Sequence, residues 1–270
     1  MAIKSEWVRY GDQLGYFAIP ERAAKNLPGV VVIQEIGGVN NNIEDVTRRI
    51  AASGYAALAP DLFAIDGARP EALSKERVAE AFALSASLPP AARFDPAARE
   101  AELAKLPERE RTRIGESFAK IFSIPAALPT LVAPLRSAVR YLRTERTETQ
   151  GCKVGCVGFC MGGGLSALLA CEEPELSAAA MFYGSAPPQD KIAGIRCPVI
   201  AFYGANDQRV NAGIEPFEDA MRKEGKSFEH HIYKDANHAF FNDDGAVYNV
   251  DAARDSFSRL LAFFVKNLAG

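Results

Sequence analysis

Residues 151–170 read GCKVGCVGFCMGGGLSALLA. Residues 153–159 form a short apolar run bounded by glycine, which suits a buried strand. Residues 165–170 are rich in Leu and Ala, which suits a buried helix. Cys160 lies between them, with Gly158 two residues before and Gly162 two residues after. Glycine has no Cβ, so two backbone segments can approach closely where the chain reverses sharply. A side chain at the apex of such a turn points outward, beside the N–H groups that open the next helix. This is the pattern of a nucleophile elbow, G-x-S-x-G, with Cys in the place of Ser.

The rest of the chain alternates strand and helix around this stretch. Upstream, residues 7–10 and 15–19 read as a hairpin joined by 11–13, with Trp7 as a packing residue. VVVIQ at 30–34 is a continuous apolar run, hence a central strand, and Glu35-Ile36-Gly37-Gly38 forms its following loop. Asn41 or Asn42 caps a helix running to about Ser53, closed by Gly54. Residues 55–59 form another strand. A helix at 131–142 leads into the elbow strand. Downstream come strands at 178–182, 198–203 and 228–233 and helices at 214–223 and about 250–268. The last helix carries an apolar stripe of Val250, Ala253, Phe257, Leu260, Leu261, Phe264 and Leu268. This alternation predicts an α/β fold with a mostly parallel central sheet and helices on both faces.

Residues 64–129 break the rhythm and are too long for a simple connection. Ser74 and the pair Asp95-Pro96 are helix-start signals, and Ile114, Phe118, Ile121 and Phe122 share one helical face. We expect one domain over residues 1–270 with a helical insertion at about 64–129, serving either as a cap or as a surface or oligomer decoration.

Composition narrows the partners. The chain has 270 residues, 48% hydrophobic and 24% charged, with a formal net charge of −3. This length suits one large α/β domain. The charge supplies no basic footprint for nucleic acid, and no apolar run is long enough to span a membrane. The opening residues MAIKSEWVRY lack the apolar core of a signal peptide, and five cysteines fit reduced thiols better than a disulfide framework. A cytoplasmic location is therefore expected.

In an open parallel sheet, functional residues gather at the C-terminal ends of the strands. Glu35, Cys160, Asp207 and His238 all fall at such ends. The order nucleophile, acid, histidine is that of the α/β-hydrolase triad. A thiol attacks a carbonyl as thiolate and needs a base. His238 can take that proton and return it to the leaving group, while Asp207 holds the imidazole tautomer. The backbone N–H groups of Met161 and Ile36 are the candidate oxyanion donors.

The sequence resembles the dienelactone hydrolase family (carboxymethylenebutenolidase-like enzymes). The likeness lies in Gly158-Phe159-Cys160-Met161-Gly162-Gly163, Gln34-Glu35-Ile36-Gly37-Gly38, Tyr203-Gly204-Ala205-Asn206-Asp207 and Asn237-His238-Ala239-Phe240. It covers nearly the whole chain outside the insertion. The resemblance implies an α/β-hydrolase fold, no cofactor and no metal, and an ester or lactone as small-molecule substrate. It implies a Cys-His-Asp triad at Cys160, His238 and Asp207, acting through a thioester. It also implies that Glu35 keeps the resting thiol protonated, as a carboxylate beside a thiol would. Two family arginines that bind a substrate carboxylate are unmatched, their places being taken by Ile65 and Asn242; Arg69 or a basic residue of the insertion is the available substitute.

Other readings compete. Gly162-x-Gly164-x-x-Ala167 fits a relaxed dinucleotide fingerprint, which would make the chain an NAD(P)-binding oxidoreductase. However, no acidic residue ends the following strand. A catalytically silent hydrolase fold used for binding is a third reading. Cys152, Cys156, Cys171 and Cys197 are expected to be packing residues, and His230 and His231 to be structural, since neither has a metal-binding spacing.

Overall fold

Five runs, GVVVI, AALAP, VGCVGF, AAAMF and VIAFYG, are buried at every residue. Strands without an exposed face must sit inside a sheet covered on both sides. In the structure, a computed structural model describing residues 2–22, 26–89 and 95–268, they do. They are β3 (Gly29–Ile33), β4 (Ala56–Pro60), β5 (Val154–Phe159), β6 (Ala178–Phe182) and β7 (Val199–Gly204). The eight-stranded sheet is completed by β1 (Ile3–Tyr10), β2 (Gln13–Pro20) and β8 (Phe228–Tyr233), in the order β1-β2-β4-β3-β5-β6-β7-β8. From β4 to β8 all pairings are parallel, and β2 pairs antiparallel with both β1 and β4.

Helices cover both faces. Side chains of α5 (Val132–Arg140), α6 (Met161–Glu172) and α8 (Ile214–Lys223) pack with Val31, Ile33 and Met181 on one face. Those of α1 (Asn41–Ala52) and α9 (Val250–Leu268) pack with Val30, Val32 and Phe202 on the other. The expected α/β class and mostly parallel sheet are therefore observed. Between β4 and β5 lie α2 (Lys75–Ser87), α3 (Pro96–Leu103) and α4 (Glu108–Ser123). Ser74 and Asp95 cap the first two, and Ile114, Phe118 and Ile121 join Phe63, Leu73 and Val78 in a separate apolar cluster. Within the expected insertion at 64–129, residues 90–94 lie outside the described ones.

Some local expectations change. Asn40, rather than Asn41 or Asn42, caps α1: its backbone is extended and its side chain accepts from Ile43 N–H at 3.1 Å. Asn42 instead donates to Asp243 at 3.0 Å, tying the loop after His238 to α1. The helix expected at 131–142 ends at Arg140 and continues as a π-helical turn, Tyr141–Glu145. Trp7, on the edge strand β1, is 40% exposed; its ring packs edge-on with Tyr16 across the hairpin and lies near the ammonium of Lys75. Val250 is exposed at the first residue of α9 and does not join that helix's buried stripe.

Candidate active site

The strand order reverses between β3 and β5, and in open α/β sheets ligands bind at the carboxyl ends beside such a reversal. Their register aligns these ends: Ile33 pairs with Gly158, so Glu35 and Cys160 each stand two residues beyond a matched pair. Phe159 pairs with Phe182, which brings Tyr183 to the same edge. Asp207 follows β7 as the cap of the short helix α7 (Gln208–Asn211), and His238 follows β8.

Cys160 has φ +53° and ψ −114°, a conformation that a residue with a side chain rarely adopts. Packing enforces it. A Cβ on Gly158 would run into the carbonyl of Gly162, and a Cβ on Gly162 into those of Ile33 and Gln34. Cys160 N–H donates to the Phe182 carbonyl at 3.0 Å, fixing the apex to β6. Such a strained position costs on the order of 1–3 kcal/mol and persists only where the surroundings over-determine it. The same packing consumes the glycines that the dinucleotide fingerprint would leave open for a pyrophosphate. They lie inside the first turn of α6, against backbone, so that reading gains no support.

The sequence-predicted side chains converge here. His238 Nδ1 lies 2.5 Å from Asp207 Oδ2, and Cys160 stands close enough to the imidazole to act on its charge. Burial disfavours the charged imidazole, but the bonds to Asp207 and Cys160 outweigh it and hold His238 up at about 10. Burial likewise opposes the Asp207 charge, yet His238 and the Val210 N–H keep its carboxyl below the usual range. Asp207 thus serves both as helix cap and as imidazole partner. Ile36 lies in the turn closed by Gly38 N–H to the Glu35 carbonyl, and Met161 opens α6. The contact of Gly162 with Ile33 and Gln34 sets these two segments side by side.

Glu35 is not a solvated loop carboxylate. Its Oε1 accepts from Tyr183 O–H at 3.2 Å and its Oε2 from Asn242 Nδ2 at 3.1 Å. Burial raises its pKa above the usual value, against the opposing pull of Asn242, His238 and Tyr183. Tyr183 was not singled out from the sequence. It is buried at φ +41°, and its ring meets the edge of His238 at 5.1 Å between centroids. Burial and the Glu35 charge raise its pKa well above 10, so it stays a neutral donor. Its only sequence signal was its place before Gly184 at the end of an apolar strand.

The remaining candidates sit elsewhere. Ile65 is 66% exposed, and Asn242 is occupied by Glu35. Arg69 is committed inward, to Asp61 at 2.5 Å and the Val39 carbonyl at 2.9 Å. Cys156 and Cys197 are buried thiols whose pKa values burial drives upward, as expected for packing residues. His230 and His231 stack on Phe228 and Phe202. Among the described residues, no group of three or more His, Cys, Asp or Glu is placed to hold a metal.

A parallel sheet with an apical elbow, covered on both faces and carrying its polar groups at the strand ends, is the α/β-hydrolase fold. Residues 14–268 match the dienelactone hydrolase family. The chain belongs to that family, whose members are carboxymethylenebutenolidase-like hydrolases. It is 35% identical to the "Putative carboxymethylenebutenolidase" of Saccharolobus solfataricus over 87% of each chain. A protein of the same name from Synechocystis is 31% identical over 94% of this chain and 92% of that one. The crystal structure of a "Putative Dienelactone Hydrolase" from Klebsiella pneumoniae superposes with a TM-score of 0.70 at 26% identity, covering 98% of this chain and 100% of the other.

Proposed function

We propose that this chain hydrolyses a carboxylic ester or lactone with Cys160 as nucleophile, His238 as general base and acid, and Asp207 as the group that orients His238. The observation that carries this reading is that Asp207 holds the imidazole through Nδ1 at 2.5 Å, which leaves Nε2 as the nitrogen that can take the thiol proton. Asp207 at Nδ1 stabilises the imidazolium that forms when His238 takes the thiol proton.

In the first half-reaction Cys160 Sγ bonds to the substrate carbonyl carbon and its proton passes to His238. The carbonyl oxygen becomes an oxyanion that accepts from the N–H groups of Met161 and Ile36. The tetrahedral intermediate then expels the alcohol, which takes the proton from His238, and a thioester remains. In the second, water gives a proton to His238 and attacks the thioester. The acid leaves and the thiol is restored. Glu35 stands close enough to His238 to act on its charge; its role is to disfavour the resting thiolate. The substrate is a small molecule, and the five free cysteines suit a reducing, cytoplasmic setting. Among the described residues no single helix is long and apolar enough to cross a membrane.

The direct test is Cys160→Ala on p-nitrophenyl acetate turnover. Loss of essentially all enzymatic release of p-nitrophenol is expected; undiminished release would remove Cys160 as nucleophile.

A further inference from the structure

The cluster formed by α2, α3 and α4 does not close on itself. Its partly buried members include Ile36, from the loop after β3, and Phe82, from α2. Gly37 follows Ile36, and a Cβ there would stand 3.6 Å from Phe82 Cε2. The Phe82 ring therefore lies over the bare backbone of the loop that receives the carbonyl oxygen in the proposed reaction. Phe63, fully buried, supports the same loop at Gly38.

We propose that Phe82 and the Ile36 side chain form an apolar wall for the acyl part of the substrate, so that this enzyme takes neutral esters or lactones rather than ones bearing a carboxylate. This rests on the hydrolase reading above. An acyl chain is bonded to the carbonyl carbon. Once the oxygen is seated at the Ile36 N–H, the chain starts within a few bonds of Ile36 and Phe82. Both side chains remain partly exposed there, and covering them with an acyl chain takes apolar surface out of water, which favours the complex.

Charge points the same way. A carboxylate on the substrate would meet two acidic side chains, Glu35 and Asp207, flanking one imidazole. It would also need a cation, and among the described residues three arginines of this region are already engaged. Arg69 is held by the buried Asp61 and the Val39 carbonyl. In the helical segment, Arg77 pairs with Glu116 and Arg113 with Glu80. Arg209, exposed on α7, already has the Asp207 charge beside it.

The test compares p-nitrophenyl hexanoate with the mono-p-nitrophenyl ester of adipic acid, which has the same reach but ends in a carboxylate. The wild type should favour hexanoate in kcat/KM by at least about tenfold. Phe82→Ala should cut the hexanoate-to-acetate ratio of kcat/KM by about tenfold, mainly through KM, and Phe82→Leu should recover most of it. Binding of intact hexanoate ester to Cys160→Ala, measured by calorimetry with and without Phe82→Ala, reads the wall without turnover; several-fold weaker binding is expected. An adipate preference, an unchanged ratio, or unchanged affinity would overturn the proposal. Wild type that fails to turn over acetate yet binds hexanoate in a Phe82-dependent way would instead remove only the hydrolase reading.

Discussion

Cys160 combines a strained backbone with a histidine whose far side is fixed by Asp207. Asp207→Asn keeps the shape but removes the charge that supports the imidazolium. Turnover should fall by roughly three to four orders of magnitude if Asp207 plays the part of the Asp in a Ser-His-Asp triad. The His238 NMR titration should move down from about 10 towards its ordinary range; an unmoved titration would show that Asp207 does not hold the proton. The raised His238 pKa also fixes a sign. Its stabilising contribution is full below its unfolded value near 6.5 and is lost as pH rises towards about 10. Urea denaturation should therefore show the advantage of wild type over His238→Gln shrinking from pH 6 to pH 10; a constant difference would contradict the pairing. Glu35→Gln removes a negative charge from beside the site, so iodoacetamide should modify Cys160 faster than in wild type at the same pH. An unchanged rate would dismiss the proposed suppression of the thiolate. The candidate residues were legible because each follows a strand: apolar runs precede Glu35, Cys160 and Asp207, and the more polar run FEHHIY precedes His238. Tyr183 was not, because its hydrogen bond to Glu35 joins positions 148 apart in the chain, and no local pattern encodes that.

The elbow element explains why glycine recurs around Cys160 and why the glycines are not equivalent. At Gly158 a Cβ would collide with the Gly162 carbonyl, and backbone cannot move aside as a flexible side chain can. Gly158→Ala should cost at least about 3 kcal/mol. At Gly164, the nearest atom to a Cβ is the Ser185 carbonyl oxygen at 3.4 Å, an ordinary contact. There, in the same helix, Ala should stabilise by roughly 0.5–1 kcal/mol through helix propensity. Equal effects at the two sites, read from chemical denaturation, would refute the packing account. Element types were readable from hydrophobic period, and the Ser74 and Asp95 caps from their side-chain chemistry. The cap of α1 was misplaced within a run of three asparagines, where identical side chains leave only backbone geometry to decide.

Across the molecule, the sheet's reversal between β3 and β5 sets the place of the site, and the segment between β4 and β5 sets its surroundings. Alternation of strand and helix revealed the parallel sheet, but not how residues 64–129 lie on it, because helical faces do not specify their tertiary partner. Arg69 illustrates this: in sequence it was a candidate for the substrate, and in the fold it neutralises the buried Asp61. Arg69→Met should therefore lower stability by about 3 kcal/mol or more by leaving that carboxylate unpaired. Adding Asp61→Asn should recover part of the loss; no recovery would mean that Arg69 acts through packing. The central claim is that this fold delivers a carbonyl to Cys160 and holds it there as a thioester. Rapid acid quench of the enzyme with p-nitrophenyl acetate, followed by peptide mass spectrometry, tests it most directly. The account predicts a transient acetyl group on the Cys160 peptide, formed and lost at rates that support turnover. Full turnover with that peptide unmodified at every time point would contradict it.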